Sequence, residues 1–286
     1  MPDFFIQQQK KVVAVFSALL TMLVAVTSCI GLLTPGFYSV ETLSWQAQSI
    51  GQDAVDLFLI VPVLLTSVIC VYNEIQRAIF LWGGIVLYLI YTFVIYCFDV
   101  HFNGLFILYC FILGLSFFAF LYFLYSQLAQ PPWKMVIGSK ILRTIGVYFI
   151  FISVLFYLLW LSDIVPSLIH QLTPKTISEG GLPTNPVHVL DLSIILPGIF
   201  FTGILLWRKK LMGLLLAPAV LTFFILMDIT IGIMILFMKH KGIETENSVA
   251  YIMGILALLS TIFLLLLFRE IKNNLSPQRR KDAKMS

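Results

Sequence analysis

Two acids stand at matching places in this chain. Asp56 begins the run Asp56-Leu57, four further residues, then Pro62; Asp191 begins Asp191-Leu192, four further residues, then Pro197, 135 positions later. Asp53 precedes Asp56 by three positions and His188 precedes Asp191 by three. On a helix, residues three apart share a face. If the two faces converge, they form an acidic pocket with one imidazole, suited to a proton, a cationic substrate or a divalent metal. The same residues also suit a plainer role. Helix N-termini attract carboxylates, and side chains there cap free amides.

A third acid, Asp228, lies deep in an apolar run between Phe224-Ile225-Leu226-Met227 and Ile229. A carboxylate at membrane depth costs a few kcal/mol, so it is expected to face protein or water, or to be protonated. An interhelical hydrogen bond to Ser or Thr would also account for it. Pro62, Pro197 and Pro218 fall inside apolar runs, where each removes a backbone hydrogen bond and bends its helix. The carbonyls of Phe58 and Ser193 would be the ones released, near the acid-bearing faces. Transporters build ion sites from acids and released carbonyls, and packing kinks use the same prolines.

Other chemistry is weakly signalled. His101, His170, His188 and His240 all fall on or near one side, too shallow for haem across a bundle; a zinc or copper site from His101, His188 and Asp191 is the alternative to solvated loop histidines. Cys29, Cys70, Cys97 and Cys110 form no CxxC pair. Tyr88, Tyr91, Thr92 and Tyr96 lie near one helical face, and residues 106–125 are dense in Phe and Tyr. Such a groove suits a lipid tail or quinone, although packing and interfacial belts use the same residues. Trp82-Gly83-Gly84 reads as a close helix approach. No Gly-rich phosphate loop, HExxH or GxSxG is present. No metal or cofactor is therefore assigned.

The elements that position these residues are legible. Of 286 residues, 60% are hydrophobic and 11% charged, and mean hydropathy is +0.99. A water-facing surface needs far more charge, so most of this chain is solvated by lipid. Apolar stretches cover roughly 12–33, 54–73, 78–98, 105–128, 144–162, 188–207, 211–237 and 248–268. Each spans a bilayer as a helix, and none shows the alternation of a barrel strand. The fold class is all-α, a polytopic bundle of about eight spans. The run after Lys10-Lys11 is too long for a signal-peptide core and is read as an uncleaved first span, although residues 26–29 loosely resemble a lipoprotein cleavage site.

Eight spans put both ends on one side. Fifteen of the eighteen basic residues fall there, leaving Lys175, Lys239 and Lys241 opposite. The positive-inside rule makes that side the cytoplasm. The basic residues sit at span ends, so the net charge of +4 is no nucleic-acid signal. A single membrane domain, 1–286, is expected, with candidate halves 1–128 and 144–268 in a parallel 4+4 repeat and a basic tail, 269–286, suited to anionic headgroups. The outer segments are 34–53, with a short interfacial helix over Glu41–Ile50, then 163–187, read as a structured loop or lid, and 239–247. The inner loop Gln130–Arg143 has an amphipathic basic stretch.

The leading functional expectation is a small transporter or permease-like protein with an outward-facing acidic pocket, in a bacterial inner membrane. Against it stand a membrane enzyme or cofactor protein acting on a metal, quinone or lipid, and a non-catalytic subunit or scaffold.

Overall fold

The computed structural model describes residues 2–75, 77–129, 133–135 and 140–273. The inner loop apart from Trp133–Met135 and Lys140 onward, and the basic tail beyond Asn273, lie outside them. Among the described residues eight helices are long and apolar enough to cross a membrane. They are Pro2–Leu33, Leu43–Tyr72, Ala78–Phe98, Phe106–Ala129, Lys140–Ile169, Pro186–Trp207, Leu211–His240 and Asn247–Glu270, called here the first to eighth spans. The chain is an all-α multi-pass bundle, with one three-residue antiparallel pairing of Trp133–Met135 with Ile271–Asn273. Large apolar side chains such as Phe58, Ile107, Leu158, Ile194, Phe201 and Leu258 stand exposed around its outside, an exterior fit for lipid rather than water.

Each half is a four-helix unit with the same neighbours. The first span packs on the second and fourth, and the third on the second and fourth; likewise the fifth packs on the sixth and eighth, and the seventh on the sixth and eighth. The halves join where the third and seventh spans cross. The second span also reaches the seventh, and the start of the sixth reaches the third. That crossing is tight. A Cβ on Gly84 would lie 2.4 Å from Thr222 Cβ and 2.6 Å from the Ala219 carbonyl oxygen. Gly84 and Ala219 are themselves 135 positions apart, so corresponding residues of the two halves meet at the join. Gly146 and Gly203 do the same service for the fifth and sixth spans, each backbone carbonyl filling the space a Cβ on the other would need.

The backbone repeats more faithfully than the side chains. Residues 56–60 and 191–195 are π-helical turns, each followed by an α-helix, Val61–Tyr72 and Leu196–Trp207. All four boundaries are offset by 135 positions. The hairpin residues Glu74 (φ 59°) and Lys209 (φ 55°) are left-handed at the same offset, as are Gly36 (φ 73°) and Gln171 (φ 55°). Three of these four are non-glycine residues, which seldom occupy that region.

The π turns follow from the prolines. The Val61 N–H bonds to the Asp56 carbonyl and the Leu196 N–H to that of Asp191, one residue further back than in an α-helix. The next residue is proline, which has no N–H and crowds the preceding turn. Pro62 and Pro197 have no N–H to offer that turn, so the carbonyl five residues back, that of Leu57 or Leu192, lacks the donor the π register would supply. In the second half it is recaptured: the Tyr157 hydroxyl donates to the Leu192 oxygen at 2.6 Å. Pro218 lies within the seventh span, which shows no such turn.

Two connecting segments, 34–53 and 163–187, differ from expectation. Leu43–Val55 is not a separate helix but the first part of the second span, started by Thr42, whose hydroxyl accepts the Trp45 N–H at 3.3 Å. Gly51 lets this stretch lie against the seventh span, since a Cβ there would come within 3.1 Å of Met234 Cα. The 163–187 segment is largely helical. The fifth span runs on to Ile169, Lys175–Gly180 forms a short helix, and Asn185 caps the sixth span by accepting the Val187 N–H at 2.9 Å.

Candidate functional site

The five sequence-nominated residues fall into two groups, both organised by hydroxyls of the third span. In the first half, Asp53 Oδ2 accepts from the Tyr38 hydroxyl at 2.6 Å and Oδ1 from Tyr96 at 2.8 Å. One turn on, Asp56 Oδ1 accepts from Gln52 Nε2 and from the Tyr88 hydroxyl, both at 3.0 Å. Gln52 also donates to the Tyr88 oxygen at 2.7 Å, and Tyr88 bonds to Thr230 of the seventh span at 3.1 Å. Asp56 is fully buried, and its Oδ2 has no hydrogen-bond partner among the described residues. Asp53 is almost as buried. This is a packed polar network that ties the loop bearing Tyr38 to the second, third and seventh spans.

In the second half the π turn presents Asp191 to two side chains. Trp160 Nε1 donates to Oδ2 at 2.8 Å, and the Tyr91 hydroxyl, one helical turn beyond Tyr88, faces the same carboxyl. The His188 ring lies against the same Trp160, with ring centroids 4.7 Å apart and planes tilted by 52°; its Nε2 is buried without a partner among the described residues. Asp191 then lines a cavity of about 80 Å³ among the third, fifth, sixth, seventh and eighth spans. Asp228 lines the same cavity. It is 9% exposed, and among the described residues nothing donates a hydrogen bond to it. Thr230 and Asp228 are two positions apart, on opposite sides of the seventh span. One side closes the first-half network and the other supplies an acid to the second-half cavity. Asp53 and Asp56 are not among the cavity's lining residues.

A second cavity, about 280 Å³, lies at the loop end of the third span beneath Gly181–Pro183. Two acids not singled out in sequence meet there. Glu41 accepts both the His101 N–H and a bond with its Nδ1, each at 2.8 Å. Asp99 is buried, and neither carboxylate oxygen has a partner among the described residues. Burial first, then the charge of Glu41, push its carboxyl up to about 7. Only its place directly after an apolar run could have marked Asp99 in the sequence.

His101 and His188 belong to different surroundings, and His170 and His240 are exposed. Among the described residues no three His, Cys, Asp or Glu side chains are placed to hold a metal ion. The aromatic third span is explained by the two networks. Tyr88, Tyr91 and Tyr96 each direct a hydroxyl to an acid. What the sequence did not reveal was the partners Gln52, Tyr38, Trp160 and Thr230, which come from four other stretches of chain. No protein-family model, curated protein or solved structure matches this chain.

Proposed function

We propose that this protein is a small transporter or permease-like protein whose working acids are Asp191 and Asp228. The observation that carries the reading is their convergence, from two adjacent spans, on one cavity at membrane depth. A buried carboxylate without a hydrogen-bond partner is costly, and proteins that cross membranes keep such groups where a solute or proton passes. Neighbouring π turns and proline-broken helices support it, since they sit beside functional sites more often than chance allows. The matched backbone of the two halves adds a second support. Transporters are commonly built from internal repeats, here parallel, with sites near the repeat interface.

Asp53 and Asp56 are read differently. Their hydrogen bonds give them a positioning role: they hold the second, third and seventh spans in register beside the cavity. His188, set against Trp160 at the start of the sixth span, marks the cavity's rim in this reading.

In this reading the ends of the chain and the loops at Arg77, Lys140 and Arg208–Lys210 are cytoplasmic, the cavity opens outward, and the basic tail rests on anionic headgroups. The membrane is a bacterial inner membrane. A reporter fused after Arg280 is expected to read cytoplasmic, and one inserted at Gly181 to read external. The opposite pattern would invert the orientation.

The flux test uses proteoliposomes challenged in turn with concentration jumps of primary amines, neutral sugars and carboxylic acids, with current and internal pH recorded. One class is expected to give saturable flux, falling on the order of tenfold or more in Asp228→Asn and Asp191→Asn, a typical effect of losing a buried charge contact. Saturable flux that both substitutions leave unchanged, or no flux with any class, would sink the proposal.

A further inference from the structure

We infer that the cavity lined by Asp191 and Asp228 binds an organic ammonium ion with a small apolar body. The assignment takes its purpose from the transport reading, but its evidence is the cavity.

The sign of the ligand comes first. Two carboxylates line the cavity, and no Lys, Arg or His does. An anion entering would meet two acids and no counter-charge in a low-dielectric space, whereas a cation supplies the missing partner. The two acids are not equivalent. Asp191 accepts a hydrogen bond from Trp160, while Asp228 has no hydrogen-bond partner among the described residues. An ammonium N–H donated to Asp228 would give a partner to the carboxyl of a buried residue that the described residues leave without one.

The walls then choose between kinds of cation. Tyr91, Tyr148, Phe156, Phe223 and Phe224 line the space, with Tyr91 and Phe223 meeting edge to face at 5.6 Å and Tyr148 and Phe224 at 6.3 Å. Ring faces attract alkylated ammonium groups, which are weakly hydrated. A hard metal ion needs about six oxygen ligands, and this cavity offers two carboxylates and a few hydroxyls among apolar side chains. At about 80 Å³ the space is well below the few hundred Å³ usual for drug-sized ligands. A compact amine fits that scale, and a bulky or polycationic one does not.

The test is a comparison of three near-isosteric probes on the full chain in nanodiscs: benzylammonium, benzyl alcohol and benzoate. Equilibrium dialysis and thermal shift are read for each. Benzylammonium is expected to bind about 10- to 100-fold more tightly than the alcohol, the difference a charge contact makes, and benzoate not at all. Asp228→Asn should bring the ammonium down toward the alcohol. Phe156→Leu keeps apolar bulk but removes a ring face, and should weaken the ammonium more than the alcohol. Asp163→Asn, outside the cavity lining, should change neither. Equal binding of benzylammonium and benzyl alcohol to the wild-type protein would overturn the assignment, independently of any variant. So would unaltered ammonium affinity in an Asp228→Asn protein of normal elution and melting. Flux of a sugar or carboxylic acid that depends on Asp228, with no ammonium binding, would also overturn it while leaving transport standing. Ammonium binding without flux would support the site and count against transport alone.

Discussion

Gly84→Leu is expected to yield little or no folded protein, while Gly114→Leu elutes and melts like the wild type. Both glycines lie within apolar spans, and by composition alone the substitutions are alike. They differ in what surrounds them. A Cβ on Gly84 would come within 2.6 Å of the Ala219 carbonyl oxygen, a backbone atom that cannot turn aside, and within 2.4 Å of Thr222 Cβ. Around Gly114 nothing lies within 4 Å of that position. Overpacking a well-packed core costs about 1–3 kcal/mol even when side chains can adjust. Here the obstacle is the backbone of the seventh span, and relief requires the two halves to separate. That separation would also part Tyr88 from Thr230. Size-exclusion profile and yield in mild detergent are the measurements, and a monodisperse Gly84→Leu protein with an unchanged melting temperature would refute the account of the join.

Tyr88→Phe should produce the largest loss of stability of any change that removes one oxygen atom. Interhelical hydrogen bonds in membranes average about 0.6 kcal/mol and reach about 1.7. The Tyr88 hydroxyl meets three partners, Gln52, Asp56 and Thr230, and one of these is a carboxylate whose other oxygen has no bond. Removing it leaves Asp56 with Gln52 alone. The expected loss is about 2–3 kcal/mol, because unsatisfied buried acceptors cost more than the net value of the bonds that served them. Tyr157→Phe makes the comparison. It also deletes a hydroxyl, but its partner is one neutral carbonyl, so a smaller loss is expected. A double-mutant cycle between Tyr88→Phe and Thr230→Val would isolate the bond across the two halves. Strict additivity would mean that this contact does not couple them.

The spans, their number and most of their ends were legible because hydrophobic length is a one-dimensional property. Lipid demands about 20 apolar residues of each helix wherever it packs. The Asp-Leu-x4-Pro pair was legible for a similar reason: proline acts on its own helix, within one or two turns. Packing against other spans is a different matter. Nothing local distinguishes Gly84 from Gly114, or Trp160 from an interfacial anchor. The helix over Leu43–Val55 was misjudged because Gln46, Gln48 and Gln52 look like solvent-facing residues, while Gln52 is in fact buried and spent on Asp56 and Tyr88. The acids divided as they did because Tyr88 and Tyr91 lie one helical turn apart yet face acids of different halves, a relation of two tertiary contacts that spacing along the chain does not encode.

Each π turn holds one residue more than an α-helix would use over the same rise. Beyond residues 56–60 and 191–195 the helix is therefore rotated by about 100° relative to an uninterrupted one. A helical wheel drawn through either span loses phase there, so a single apolar stripe cannot describe both ends. The insertion also works as a setting of azimuth. Deleting Leu57 would leave the composition of the second span almost untouched, yet would swing Leu64, Ser67 and Val71 from the interior toward lipid while Gln52 and Asp53 stayed in place. In these two spans, one residue of length is an angular coordinate of the bundle.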